Sequence, residues 1–124
     1  MTMNWKISHD DHLVEVVASG PVSLQDVERY FDAVTVAEAW SYRKLFDAVH
    51  ATSAFSDDDM MMLGARISAY MSLGRVGPLA IAASDDMRDS ARVFAALAAA
   101  DRPLKIFKSV RAARKWLLAQ PIGT

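Results

Sequence analysis

The chain has 124 residues, no cysteine and a formal net charge of −1, with 52% hydrophobic and 23% charged residues. That length accommodates one domain, 1–124, with a core large enough to fold without metal or disulfide staples. The lack of cysteine excludes disulfides, thiolate metal sites and cysteine nucleophiles, and the near-neutral charge argues against a nucleic-acid partner, whose phosphates are met by accumulated Lys and Arg.

The first ten residues, Met1 to Asp10, have neither the basic-then-apolar pattern of a signal peptide nor an Arg-rich transit character, so the expected location is cytoplasmic. Trp5 and Ile7 alternate with Asn4, Lys6 and Ser8, and Leu13 to Ala18 is rich in valine. This pattern predicts two antiparallel strands joined at His9-Asp10-Asp11-His12, with Glu15 on the outer face opposite Lys6. Gly20-Pro21 is expected to end the second strand, and Ser23 to cap a helix running from Leu24 to about Ala39. Lys44 to His50 reads as a buried strand and Ala51 to Phe55 as a loop. Ser56 then caps a helix that opens with Asp57, Asp58 and Asp59 and stops at Leu73, before Gly74 and Gly77-Pro78. Leu79 to Ala83 is the next strand. Ser84 is expected to cap a third helix carrying Met87, Ala91, Phe94 and Ala98 on one face and ending at Asp101-Arg102-Pro103. Leu104 to Phe107 is a short last strand, and Ser109 caps a final helix, Val110 to Ala119. The regular alternation predicts an α/β fold: a mixed, mostly parallel five-stranded sheet with an N-terminal antiparallel hairpin and four helices.

The order of elements and several short motifs resemble the SpoIIAA-like branch of the STAS superfamily, the sulfate-transporter and anti-sigma-factor-antagonist domains. Val14 to Ser23 is similar to the family's second strand running into a G-x-hydrophobic-S/T helix start, and Leu45-Phe46-Asp47 to its third strand. Ser90-Ala91-Arg92-Val93-Phe94 resembles its A-R-hydrophobic signature. Lys105-Ile106-Phe107-Lys108 with Ala112-Ala113-Arg114-Lys115-Trp116-Leu117 resembles its ending in a Phe-basic strand and an A-x-x-W-L helix. The resemblance implies regulation through protein partners, or capture of a small apolar ligand between the sheet and mobile helices. It also marks Ser56 as the position of the family's phosphorylated serine, but the flanking hydroxyl and glycine are missing. Three carboxylates follow Ser56, so the residue reads as a helix cap before it reads as a phosphorylation site.

In a parallel sheet, ligands gather outside the carboxyl ends of the strands. That rim is expected to collect His50, Thr52, Ser53, Ser56, Ser84, Asp85, Asp86, Lys108 and Ser109, with Arg88 and Arg92 beside it. A hydrolase is the least favoured use of these groups. No serine has a G-x-S-x-G elbow, and capping accounts for Ser56, Ser84 and Ser109. His9, Asp10, Asp11 and His12 have the composition of metal ligands without a recognised spacing, so neither a metal nor a cofactor is expected. Arg88 and Arg92 share one helix flank and are answered by Asp85 and Asp89 three residues before each. Lys105, Lys108, Arg111, Arg114 and Lys115 give the last elements a basic bias suited to an acidic protein or an anionic membrane surface.

The helix after Ser56 holds the anomaly. At 100° per residue Met60, Leu63, Ile67 and Met71 form its core stripe, while Met61, Met62, Ala65, Ala69 and Leu73 fall outside that stripe. A helix with apolar residues around so much of its circumference is expected to touch something beyond its own core. The sequence therefore reads as a non-enzymatic regulatory or signalling interaction module, a homodimer through these five residues. The alternative is a small apolar ligand or lipid carrier that associates transiently with membranes.

Overall fold

The computed structural model describes residues 3–53, 55–98 and 102–121, without the side chains of Ser53, Leu73, Leu97 and Ala98. The elements are β1 (Met3–Ser8), β2 (Leu13–Val22), α1 (Leu24–Val36), β3 (Arg43–Ser53), α2 (Asp57–Leu73), β4 (Leu79–Ala83), a single 3₁₀ turn (Asp85–Met87), α3 (Arg88–Ala98), β5 (Leu104–Phe107) and α4 (Val110–Leu118). They form the expected α/β architecture. The sheet order is β1-β2-β3-β4-β5, with β1 antiparallel to β2 and every other pair parallel. Among the described residues, no helix is long and apolar enough to cross a membrane.

Because each new parallel strand is added on the same side of its predecessor, right-handed crossovers place α1, α2 and α3 on one face of the sheet. The packing agrees. Val16, Ala48 and Ile81 of the sheet join Val27, Phe31 and Val34 of α1, Leu63 and Ile67 of α2 and Ala91 of α3 in one buried cluster. Alternate residues of the same strands, Leu13, Leu45, Ala80 and Ala82, cluster with Ala113 and Leu117 of α4. The carboxylate of Glu15 does lie opposite Lys6, but its partner is Arg114 of α4 at 2.7 Å. That hydrogen bond raises the Arg114 guanidinium further.

Several predicted boundaries differ from those observed. Gly20-Pro21 does not end β2, which pairs with β3 as far as Val22 and Ser53, so β3 likewise runs past His50. The register slips between Val17 and Ser19, and Gly20 sits at φ 69. The register with β1 reaches no further than Ala18 among the described residues, so a proline without an N–H is tolerated there. Helix α1 stops at Val36 rather than Ala39, because the N–H of Ala37 closes onto the Ala33 carbonyl, that of Glu38 onto Thr35, and Glu38 adopts φ 55. Ser23, Ser56 and Ser109 each accept a backbone N–H as N-caps, and the first two complete capping boxes with Asp26 and Asp59. Ser84 makes no such side-chain bond, since a 3₁₀ turn rather than an α-helical turn follows it.

Candidate functional site

The carboxyl-end rim is divided. His50 is exposed on β3 in register with Ser19. Ser56 spends its hydroxyl on the N–H of Asp59, and the side chain of Ser53 lies outside the described residues. Arg88 and Arg92 do come together, lining an open cleft of about 280 Å³ with Ile106, Phe107 and Lys108. His50, Ser56 and Ser84 are not part of it. Asp85 holds Arg88 at 3.0 Å and Asp89 approaches Arg92 at 3.8 Å, as their spacing implied. The hairpin histidines pack on Tyr42: His9 Nδ1 lies 2.6 Å from the Tyr42 hydroxyl and the His12 ring 4.9 Å from the Tyr42 ring. Among the described residues, no group of three or more His, Asp or Glu is placed to hold a metal ion.

On α2 the core stripe is as predicted, with Leu63 and Ile67 buried and Met60 and Met71 packed against them. On the opposite side Met61 is 74% and Met62 53% exposed, beside exposed Ala65 and Ala69. The side chain of Leu73, the fifth residue of that expected stripe, lies outside the described residues. Helix α2 is held to α1 by Arg66, which donates to Glu28 at 2.9 Å, Asp32 at 3.0 Å and the Tyr70 hydroxyl at 2.6 Å. These bonds, that to Tyr70 foremost, hold the guanidinium firmly protonated.

Among the described residues, the cavities between the sheet and its three-helix face include the following two. One, of about 70 Å³, is walled by apolar groups such as Ala18, Ala48, Phe55, Met87 and Ala91. The other holds about 20 Å³ at the amino ends of β3 and β4, and its lining includes Tyr30, Lys44 and Arg102. Phe46 and Phe94, with ring centroids 6.2 Å apart, line both. Sequence reasoning passed over these interior polar groups. The one signal was a lysine at the head of an otherwise apolar strand.

Lys44 is 2% exposed; its ammonium donates to the carbonyls of Trp40 and Tyr42 and lies over the Trp40 ring. Burial, reinforced by the charge of Arg102, pushes the amine well below its ordinary range. Burial also lowers Arg102 to about 10, and raises the phenol of Tyr30 above its usual value. Between the lowered Lys44 value and the ordinary 10.5, the unfolded chain carries a proton that the folded chain lacks, so stability rises with pH across that interval. Lys44→Met removes this slope. Urea unfolding between about pH 6 and about pH 9, below the range where Tyr30 and Arg102 titrate, is expected to show the variant more stable at the acid end. The gap should narrow by up to about 1.4 kcal/mol per pH unit; parallel pH profiles would contradict the assignment.

No protein-family model matches the sequence, and no curated protein matches it. Solved structures do. The chain is similar to an uncharacterized protein of the DUF3478 family with a SpoIIAA-like fold from Shewanella loihica PV-4, at 21% identity over 93% of this chain and 91% of that one, with a TM-score of 0.59. It is also similar to an anti-sigma factor antagonist from Mycobacterium paratuberculosis, at 13% identity over 94% of each chain, again with a TM-score of 0.59. The class is thus defined by architecture: this is an α/β protein with a SpoIIAA-like fold.

Proposed function

We propose that this protein is a non-enzymatic regulatory module that works by protein–protein recognition and pairs with a second copy of itself through the outer face of α2. The exposed Met61 and Met62, opposite a fully packed core stripe, are the observation that carries this reading. The face is also self-complementary. Met61 and Ala69 lie equally far from Ala65, so two antiparallel α2 helices crossing at Ala65 set each Met61 against the partner's Ala69, a large residue against a small one. The neighbour from M. paratuberculosis, an anti-sigma factor antagonist, lends support to a protein partner. In this reading Ser56 serves as a cap, and Arg88 and Arg92 form an accessory cationic rim in cytoplasmic surroundings. Light scattering is expected to give a dimer mass for the parent protein and a monomer mass for Met61→Glu/Met62→Glu, with unchanged circular dichroism. A dimer that survives both charges, or a parent that is monomeric, removes the assignment.

The apolar cavity of about 70 Å³ favours a second reading, a carrier of a small apolar ligand. Native mass spectrometry of freshly purified protein would then show an added mass that disappears on denaturation, and vesicles with anionic lipid would retain the protein through the basic residues around α4. A bare mass and no retention would leave the partner reading alone.

A further inference from the structure

We propose that the cleft between the start of α3 and the end of β5 is a binding site for a small soluble phosphomonoester, whose dianionic head is held by Arg88, Arg92 and Lys108. The two arginines stand one turn apart on α3, and Lys108 directly follows the last residue of β5. Two separate segments thus bring three cations around one concave space of about 280 Å³. β5 is an edge strand whose last two residues face opposite ways, Ile106 toward the three-helix face and Phe107 toward α4. Both line the cleft, so apolar groups stand beside the charges at the open end of the sheet edge. The site goes beyond pairing through α2 and does not depend on it, because none of these residues belongs to α2.

Three observations select a phosphate-bearing ligand. First, none of the described residues lining the cleft carries a carboxylate, so the like charges of its wall are answered only from outside it. Those answers are weak: the side chains of Asp85 and Asp89 are 87% and 98% exposed, and ion pairs so exposed contribute little. Second, the pairs leave donors over. Asp85 reaches one terminal nitrogen of Arg88, Asp89 stands 3.8 Å from Arg92, beyond hydrogen-bond length, and Lys108 makes no ion pair among the described residues. Guanidinium forks and an ammonium match the three acceptor oxygens and the charge of about −1.5 to −2 that a phosphomonoester carries near pH 7, whereas a carboxylate offers two oxygens and a single charge. Third, the volume lies close to the lower end of the roughly 300–1,000 Å³ range of small-ligand clefts. That is more than an inorganic phosphate fills, and Ile106 and Phe107 give an attached organic group an apolar wall. Lys108 also immediately precedes Ser109, the N-cap of α4, whose first turn has no acidic residue, so the field there stays positive.

Titration of the intact, isotope-labelled protein with phenyl phosphate at constant ionic strength, followed by NMR, tests this directly. Saturable shifts are expected at the amides of Arg88 to Arg92 and of Ile106 to Ser109, with affinity about threefold or more above that of inorganic phosphate. Benzoate, which keeps the ring but carries a carboxylate, should bind several-fold more weakly. Affinity for the ester should fall several-fold between about pH 7.5 and about pH 5.5, as the ester takes up its second proton near pH 6. Arg92→Gln/Lys108→Gln, both at exposed positions, should weaken binding by about tenfold or more. Lys6→Gln/Arg75→Gln, which removes the same charge from other exposed positions, should weaken it by less than about twofold. No saturable shift at these amides, equal weakening by the two double variants, or benzoate binding as tightly as the ester overturns the proposal. Retention on phosphatidic-acid vesicles without binding of the soluble ester would give the cleft to a membrane surface and overturn it too. The readout is binding and not mass, so failure here leaves pairing through α2 standing, and Met61→Glu/Met62→Glu should bind the ester as the parent does.

Discussion

Gly77→Ala is expected to cost about 3 kcal/mol or more in urea unfolding, a larger loss than the same change at Gly20 or Gly74. A Cβ at Gly77 would stand 2.2 Å from the Tyr42 carbonyl oxygen and 2.4 Å from that of Ser41. Both contacts are with backbone, so no side chain can swing aside. The crossing is also held in place: the Gly77 N–H donates to the Trp40 carbonyl at 2.8 Å, and Lys44 is anchored on Trp40 and Tyr42. Two other glycines calibrate the result. Gly20 has open space but a φ of 69, so Gly20→Ala should cost about 1 kcal/mol through backbone strain alone. Gly74 has open space and an extended backbone, and its alanine variant should be neutral or slightly stabilising. An order of loss other than Gly77, Gly20, Gly74 would contradict this account.

Leu117→Ala should lower stability by about 3 kcal/mol, within the 2–5 kcal/mol typical of a fully buried leucine. Leu117 has no exposed surface and, with Ala113, is the centre of α4, the only helix among the described residues that covers the second face of the sheet. Among the described residues no neighbouring helix stands ready to collapse into the space, which places the loss away from the low end. The adjacent Leu118, about half exposed, is the control: Leu118→Ala should change stability by less than about 0.5 kcal/mol. Equal losses at the two positions would mean that α4 is rotated from its observed packing.

Much of the architecture was legible in the sequence because it is written in local chemistry. Strand and helix periods differ, and Ser23, Ser56 and Ser109 announce helix starts through hydrogen bonds made within three residues. The core stripe of α2 followed from spacing for the same reason. What escaped depends on distant segments. Gly20-Pro21 looked like a terminator because nothing local reveals a bulge in β2 and a missing neighbour strand. Lys44 resembled an ordinary polar residue at a strand edge, since the carbonyls of Trp40 and Tyr42 that receive its ammonium become available only when the preceding loop folds back. Arg102, between an aspartate and a proline, had the look of a solvated turn. The expected rim of His50, Ser53, Ser84, Arg88 and Arg92 was reasoned from sheet geometry, yet Tyr30, Lys44 and Arg102 line a cavity at the other end of the strands.

The unequal covering of the two sheet faces has a consequence for assembly during synthesis. Strands β2 to β5 are laid down in spatial order, with the intervening α1, α2 and α3 on one face, so a nascent chain can close that side unit by unit. Leu13, Leu45, Ala80 and Ala82 have no such provision. They stay bare until α4 leaves the ribosome and docks. The completed sheet is thus briefly a one-sided, sticky surface, and its vulnerability to aggregation is set by how quickly this last nine-residue helix arrives.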